Sequence, residues 1–306
     1  MKGNDIILIG PTTFGVLDAS PIRRLEKAGY EIRRNPVGKK MSEDELNHAL
    51  EGVVGIIAGL EPLNAKVLAL STLKVISRCG VGLESIDVAA SKRLGIRVFS
   101  TPNAPTTAVA ELTLGAILCM LRKVSQMSQI MHTGGWEKMS GPQLRDKTVS
   151  VVGLGRIGQQ VATYLKVFGV RILGVDPFLQ SHINGIELMT LDDALPQSHI
   201  ISLHASGSTE ILGRSEFEKM RQGGYVTNTG RGGLINESAL QEALDSGKVA
   251  GAWLDAFSEE PYQGPLKDYK QVLLTPHIGY SSDEARRQME IEAVENLLSG
   301  LESKTS

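Results

Sequence analysis

"TVSVVGLGRIGQQVATYLKVFGVRILGVD", residues 148–176, decides the fold. An apolar strand runs into Gly153-Leu-Gly155-Arg156-Ile157-Gly158, a helical stretch follows without a break, and a second strand ends in Asp176, eighteen residues after Gly158. Three spaced glycines alone say little, since glycine turns are common. The order of strand, glycine turn, helix, strand and acid is far more specific. Gly153 permits the tight turn, Gly155 lets a pyrophosphate approach the backbone, and Gly158 lets helix and strand pack closely. The helix opening at Arg156 and Ile157 presents free N–H groups and a partial positive charge to the phosphates. Asp176 can accept hydrogen bonds from the adenosine ribose hydroxyls and would repel a 2′-phosphate, so NAD is expected rather than NADP.

The same alternation extends to both ends of the chain. Strands are expected at 6–9, 31–34, 53–58, 73–77 and 97–100, then at 148–152, 171–175, 200–204, 225–229, 251–256 and 272–275. Helical stretches separate them, several closing on glycine. This pattern predicts parallel sheets covered by helices on both faces. One helix is expected from about Thr107 to His132, its first half, "AVAELTLGAILCML", apolar nearly all round and therefore buried on several sides. The length of 306 residues favours two domains over one core.

Hydrophobic residues make up 42% and charged residues 22%, the balance of a soluble globular protein. A formal charge of −2, with basic residues only in scattered pairs, gives no polyanion-binding face, so no nucleic-acid partner is expected. No run approaches the roughly 18 apolar residues of a membrane span. Cys79 and Cys119 lie in apolar runs and read as buried free thiols rather than a disulfide or metal ligands. Together these predict a cytoplasmic protein without a metal site.

Charged residues recur at the carboxyl ends of the second series of strands, where open α/β sheets gather their ligands. Arg231 follows "GYVTNTG", Glu260 follows "GAWLDAFSE" and His277 follows "VLLTP"; Asp255 lies inside an apolar strand, where an unpaired carboxylate would be costly. Taken singly, Arg231 reads equally as a turn residue, Glu260 as a solvated acid and His277 as a hydrogen-bonded structural histidine. Downstream of a dinucleotide fingerprint they form a set suited to hydride transfer at a carbonyl. An arginine grips a carboxylate through two N–H bonds and polarises the neighbouring carbonyl. A histidine protonates the resulting alkoxide, and a carboxylate beside it favours the charged ring. His204 and Thr229, at the ends of two neighbouring strands, are further candidates for cofactor contact.

The stretches "RCGVGLESID", "TPNAPTTAVAEL", "VVGLGRIG", "TNTGRGGLINESAL", "LDAFSEEP" and "LTPHIG" occur in this order and cover nearly the whole chain. In them the chain resembles the D-isomer-specific 2-hydroxyacid dehydrogenases. The resemblance implies that Arg231, Glu260 and His277 are the catalytic set and that Asp255 holds the nicotinamide carboxamide. It also implies that backbone N–H groups around Val81 and Gly82 receive the substrate carboxylate, and that the chain forms a homodimer. The family's fold implies two Rossmann-like domains, the NAD-binding one (101–283) inserted into a substrate-binding one (1–100 and 284–306). Within the family, "LKVISRCGVG" and "ASKRLGI" look most like the 3-phosphoglycerate dehydrogenases of serine biosynthesis. On that reading Arg78 and Arg93 would hold the substrate phosphate, with Lys138 a weaker candidate from a partner subunit. A glyoxylate or hydroxypyruvate reductase is the alternative within the family, and an NAD-sensing scaffold the alternative outside it. Gly230, Gly232 and Gly233 are expected to let backbone pass close to nicotinamide and substrate. The sequence departs from the family pattern at Pro105, where many relatives carry Asn, and at Ser206, where proline is usual.

Overall fold

The computed structural model describes residues 5–181, 183 and 185–302. The chain divides into two compact units, Met1–Pro105 with Ser281–Ser306, and Thr106–Tyr280. The boundaries therefore lie at 105 and 280 rather than at 100 and 283. Residues just past 100 stay with the first unit because Thr101 is tied to Gly80 by two hydrogen bonds, its N–H to the Gly80 carbonyl (2.9 Å) and its Oγ1 from the Gly80 N–H (2.8 Å). Ser282 goes with the first unit because its Oγ accepts from the Ala285 N–H and opens the last helix, Asp283–Glu302.

Unit 1 holds a parallel sheet of β1 (Ile6–Ile9), β2 (Glu31–Arg34), β3 (Val53–Ala58), β4 (Val75–Arg78) and β5 (Arg97–Phe99) in the order β2-β1-β3-β4-β5. β3 lies at the centre of the sheet and is buried along its whole length, as its unbroken apolar run requires. The chain reverses direction across the sheet between β1 and β3, so the crevice at their carboxyl ends is the ligand position of such folds. The helix Asp283–Glu302 covers one face through Ala293, Val294 and Leu297.

Unit 2 holds β6 (Thr148–Val152), β7 (Arg171–Val175), β8 (Glu187–Leu188), β9 (Ile200–Leu203), β10 (Gly224–Asn228), β11 (Val249–Leu254) and β12 (Val272–Leu274). Their order is β12-β11-β10-β9-β6-β7-β8, all parallel. The reversal falls between β6 and β9. β8 was not expected, since two residues give no readable period.

The expected helix over 107–132 is two helices, Thr106–Leu121 and Val124–His132, broken where Lys123 takes a left-handed backbone (φ 53°). Arg122 and Lys123 interrupt the apolar sequence there. Ala110, Ile117 and Leu121 pack on the core beneath β6 and the helix Arg156–Lys166, while Ala116 and Met120 pack on Trp253. The apolar character of this helix is thus satisfied inside unit 2 and gives no separate argument for a second copy. Cys79 and Cys119 are free, half-buried thiols, and burial pushes Cys79 up to about 12. Among the described residues no helix is long and apolar enough to cross a membrane, and no group of three or more His, Cys, Asp or Glu residues could hold a metal ion.

Candidate functional site

The glycine turn joins β6 to the helix Arg156–Lys166 at the reversal point of the unit 2 sheet. A methyl group on Gly153 (φ 88°) would lie 2.6 Å from the Ala205 N and 2.7 Å from its Cα, so only glycine lets the end of β6 pass the end of β9. One on Gly158 would run into the Gly153 carbonyl, which explains the close seat of the helix. Gly155 is the opposite case: nothing lies within 4 Å of where its Cβ would be. That open backbone, at the start of a helix, suits a pyrophosphate. Arg156 is exposed on the first turn and Ile157 packs inward against the core.

Asp176 follows β7. Its Oδ2 accepts from the Leu154 N–H (2.8 Å) and its Oδ1 from the Phe178 N–H (3.0 Å). The carboxylate therefore braces the glycine turn and keeps lone pairs for two ribose hydroxyls. An empty-sided glycine, a helix start and a braced acid fit NAD.

Arg231 follows β10. Asn228, only 1% exposed, accepts from the Gly230 N–H (3.0 Å) and donates to the Arg231 carbonyl (2.8 Å), fixing the turn that carries the arginine. This Asn-to-i+2 bond is an Asx turn; its signal, Asn two residues before glycine, is present in "TNTG" and went unused. Nη1 of Arg231 donates to the Gly230 carbonyl (2.9 Å).

Gly230 and Gly232 are also required by backbone of this chain. A methyl on Gly230 would sit 2.5 Å from the Ala205 carbonyl, and one on Gly232 would overlap the Phe257–Ser258 backbone. They pack the loops after β9, β10 and β11 on one another. The Arg231 loop is thereby seated against the loop that carries Glu260.

His277 Nδ1 lies 3.0 Å from both Oε1 and Oε2 of Glu260, and Oε1 also accepts from the Phe257 N–H (3.1 Å). With the carboxylate on Nδ1–H, Nε2 is left as the nitrogen that exchanges a proton with a ligand. His277 has a left-handed backbone (φ 53°), which a β-turn alone would not hold. Asp255 holds it: Oδ1 accepts from the Thr275 hydroxyl (2.5 Å) and the Ile278 N–H (2.9 Å), and Oδ2 from the Gly279 N–H (2.8 Å). Asp255 is 2% exposed and spends three bonds on the loop around His277. Positioning that loop is what its geometry shows; the carboxamide role is left to its remaining lone pair.

His204 and Thr229 are linked to each other, Nδ1 to Oγ1 at 2.8 Å, and His204 Nε2 meets Ser202 Oγ at 2.8 Å. Both ring nitrogens are committed to protein hydroxyls, and burial pushes the imidazole down to about 3, so His204 is neutral at physiological pH.

In unit 1, Arg78 ends β4 and the turn Gly80–Gly82 follows, with Val81 exposed. Nη1 of Arg78 donates to the Cys79 carbonyl, and the guanidinium lies over Gly80, where a methyl would meet Nη1 at 2.7 Å. Arg93 is elsewhere. It ends the helix Val88–Arg93, which leads into the start of β5, so it lies at the amino edge of the sheet while Arg78 lies at the carboxyl edge. The sheet order does not bring the two arginines to one edge. Lys138 is exposed in the coil after the helix Val124–His132.

A doubly wound sheet with this glycine turn and a braced acid defines a nicotinamide-dinucleotide-binding Rossmann unit. The particular family follows from similarity to known proteins: the chain belongs to the D-isomer specific 2-hydroxyacid dehydrogenases, whose NAD binding domain matches residues 114–279. It is 37% identical over 272 residues to a hydroxypyruvate reductase of Thermotoga maritima, covering 85% of this chain and 89% of that protein. It is 35% identical over 281 residues to the D-3-phosphoglycerate dehydrogenase of Homo sapiens, covering 88% of this chain and 52% of that protein. The chain thus spans about half the length of the phosphoglycerate dehydrogenases it matches. A solved glyoxylate reductase from Paecilomyes thermophila superposes with a TM-score of 0.88 at 27% identity, covering 99% of this chain and 97% of that one.

Proposed function

We propose that this chain is an NAD-dependent oxidoreductase that interconverts a small D-2-hydroxy acid and its 2-keto acid. The observation that carries the reading is the Glu260–His277 pair, seated beside the Arg231 loop by the close approach of Gly232 to Phe257. NAD, when bound, supplies or accepts the hydride. Arg231 grips the substrate carboxylate and polarises the carbonyl. His277 passes a proton from Nε2 to the substrate oxygen, while Glu260 holds Nδ1 and stabilises the positive ring. Asp176 selects NAD over NADP by charge.

Among substrates, the separation of Arg78 from Arg93 favours an unphosphorylated acid such as hydroxypyruvate or glyoxylate. Similarity to the D-3-phosphoglycerate dehydrogenases supports a second reading in which 3-phosphoglycerate is the substrate. Parallel NADH oxidation with hydroxypyruvate, glyoxylate and phosphohydroxypyruvate tests both. A preference for either unphosphorylated acid is expected; a preference for phosphohydroxypyruvate would establish the second reading, and tight NADH binding with no turnover of any 2-keto acid would leave only a binding scaffold.

A further inference from the structure

Glu61 is a charged residue that none of the roles above uses, and it is 3% exposed. It follows β3 in "GLEPL", a stretch whose sequence alone reads as a loop. The sheet order brings it to the reversal point of unit 1. Its carboxyl group fills the space that a side chain on Gly10, directly after β1, would need: a methyl there would lie 2.5 Å from Cδ and 2.8 Å from Oε2. One on Gly59, directly after β3, would lie 3.3 Å from both oxygens. Oε2 accepts from the Gly59 N–H. The two glycines thus leave room for a carboxylate in the crevice where a sheet of this order takes its ligand.

A buried carboxylate is costly without compensation. Burial pushes Glu61 above its ordinary range, while the Glu61 and Gly59 N–H groups and the charges of Arg78 and Lys40 pull it back. Of the two cations, Lys40 is exposed on the surface, whereas Arg78 is half-buried over Gly80 and opens the turn expected to receive the substrate carboxylate. Ala58 pairs with Arg78 in the register of β3 and β4, so Glu61, three residues on, lies at the same edge of the sheet as the arginine that the sequence had offered to a phosphate. A phosphate brought to this edge would meet the Glu61 carboxyl group together with the Arg78 guanidinium, and any ionised carboxylate at short range disfavours a doubly charged phosphate.

We propose that Glu61 is a specificity-determining residue: its buried carboxylate counters Arg78 at the carboxyl edge of unit 1 and so excludes phosphate-bearing substrates in favour of small unphosphorylated 2-keto acids. The inference rests on the 2-hydroxyacid dehydrogenase reading given above. It makes removal of the carboxylate a gain of function, which a merely structural glutamate would not give.

The test compares wild type, Glu61→Gln and the double variant Glu61→Gln/Arg78→Ala. Turnover is followed with NADH and either phosphohydroxypyruvate or hydroxypyruvate, and inorganic phosphate binding is titrated calorimetrically. Glu61→Gln should raise the kcat/KM ratio of phosphohydroxypyruvate to hydroxypyruvate about tenfold or more, since a hydrogen bond to a charged group is worth about that factor at its lower end. It should also tighten phosphate binding, and both gains should vanish in the double variant. A ratio within about twofold of wild type, or a gain that survives loss of Arg78, would overturn the proposal. So would a wild-type enzyme that already prefers phosphohydroxypyruvate, a comparison that needs no variant to fold. If no 2-keto acid is turned over at all, the dehydrogenase reading fails; the phosphate titration still reports whether Glu61 masks the Arg78 charge.

Discussion

Nδ1 of His277 stands 3.0 Å from each carboxylate oxygen of Glu260, so the ring is held by a bifurcated partner rather than by a single aligned bond. The two residues come from different loops, after β12 and after β11, and the ring is oriented only while both loops hold. Both side chains are about two-fifths exposed, at 43% and 40%. The pair is therefore built for contact with a ligand rather than for stability, because exposed ion pairs contribute little to folding. Glu260→Gln keeps the shape but replaces the carboxylate that holds Nδ1 through two oxygens. It should lower kcat for keto-acid reduction about tenfold to a hundredfold, as read by steady-state NADH oxidation.

Asp255 acts on the same histidine from behind. Asp255→Asn would place an amide N–H₂ against one of three donors, leaving a buried donor unmatched. Unfolding in urea should show a loss of about 1–3 kcal/mol. Catalysis should fall as well, because the left-handed backbone of His277 loses its clamp. Full activity in a destabilised Asp255→Asn protein would show that the clamp does not position His277.

On the proposed reading, cofactor choice turns on one carboxylate. Asp176→Ser removes the charge proposed to face the ribose, and the NADH-to-NADPH ratio of kcat/KM should fall about tenfold or more. Because Asp176 also accepts from the Leu154 N–H, affinity for NADH itself should weaken in the same variant. An unchanged ratio would move cofactor selection to another residue.

His204 gives the protein a defined acid sensitivity. Its folded pKa, near 3, lies below the ordinary value of 6.5. As pH falls through about 6.5 the unfolded chain gains a proton that the folded one refuses, so stability rises with pH and is lost progressively below that value. Between pH ~7.5 and ~5.5 the loss from this residue should be about 1.4 kcal/mol. Urea unfolding of wild type and His204→Gln at the two pH values checks it; the variant should show a pH dependence smaller by about that amount.

Much of this was legible in the sequence because it is local. Gly153, Gly155, Gly158 and Asp176 lie within one strand–helix–strand unit, and their spacing carries their roles. Arg231, Glu260 and His277 were legible as charges at strand ends, although the seating of their loops on one another depends on β10, β11 and β12 being neighbours. Arg93 precedes a strand rather than following one, and in a parallel sheet that puts it at the edge opposite Arg78. Glu61 was not legible, since its burial depends on β1 lying beside β3, an order that no local pattern reports. At Gly230 and Gly232 the sequence shows a need for space without showing the backbone of Ala205 and Phe257 that lies there.

On the proposed reading, NADH reduces a 2-keto acid to the D-hydroxy acid while Arg231 holds the substrate and the Glu260–His277 pair delivers the proton. The most direct measurement supplies NADH deuterated at the nicotinamide C4 with hydroxypyruvate, then reads deuterium and configuration at C2 of the product, for wild type and Arg231→Ala. Deuterium at C2 of the D isomer is expected in wild type, with a rate reduced by about a hundredfold or more in the variant. An L product, absence of deuterium at C2, or an Arg231→Ala enzyme as fast as wild type would contradict it.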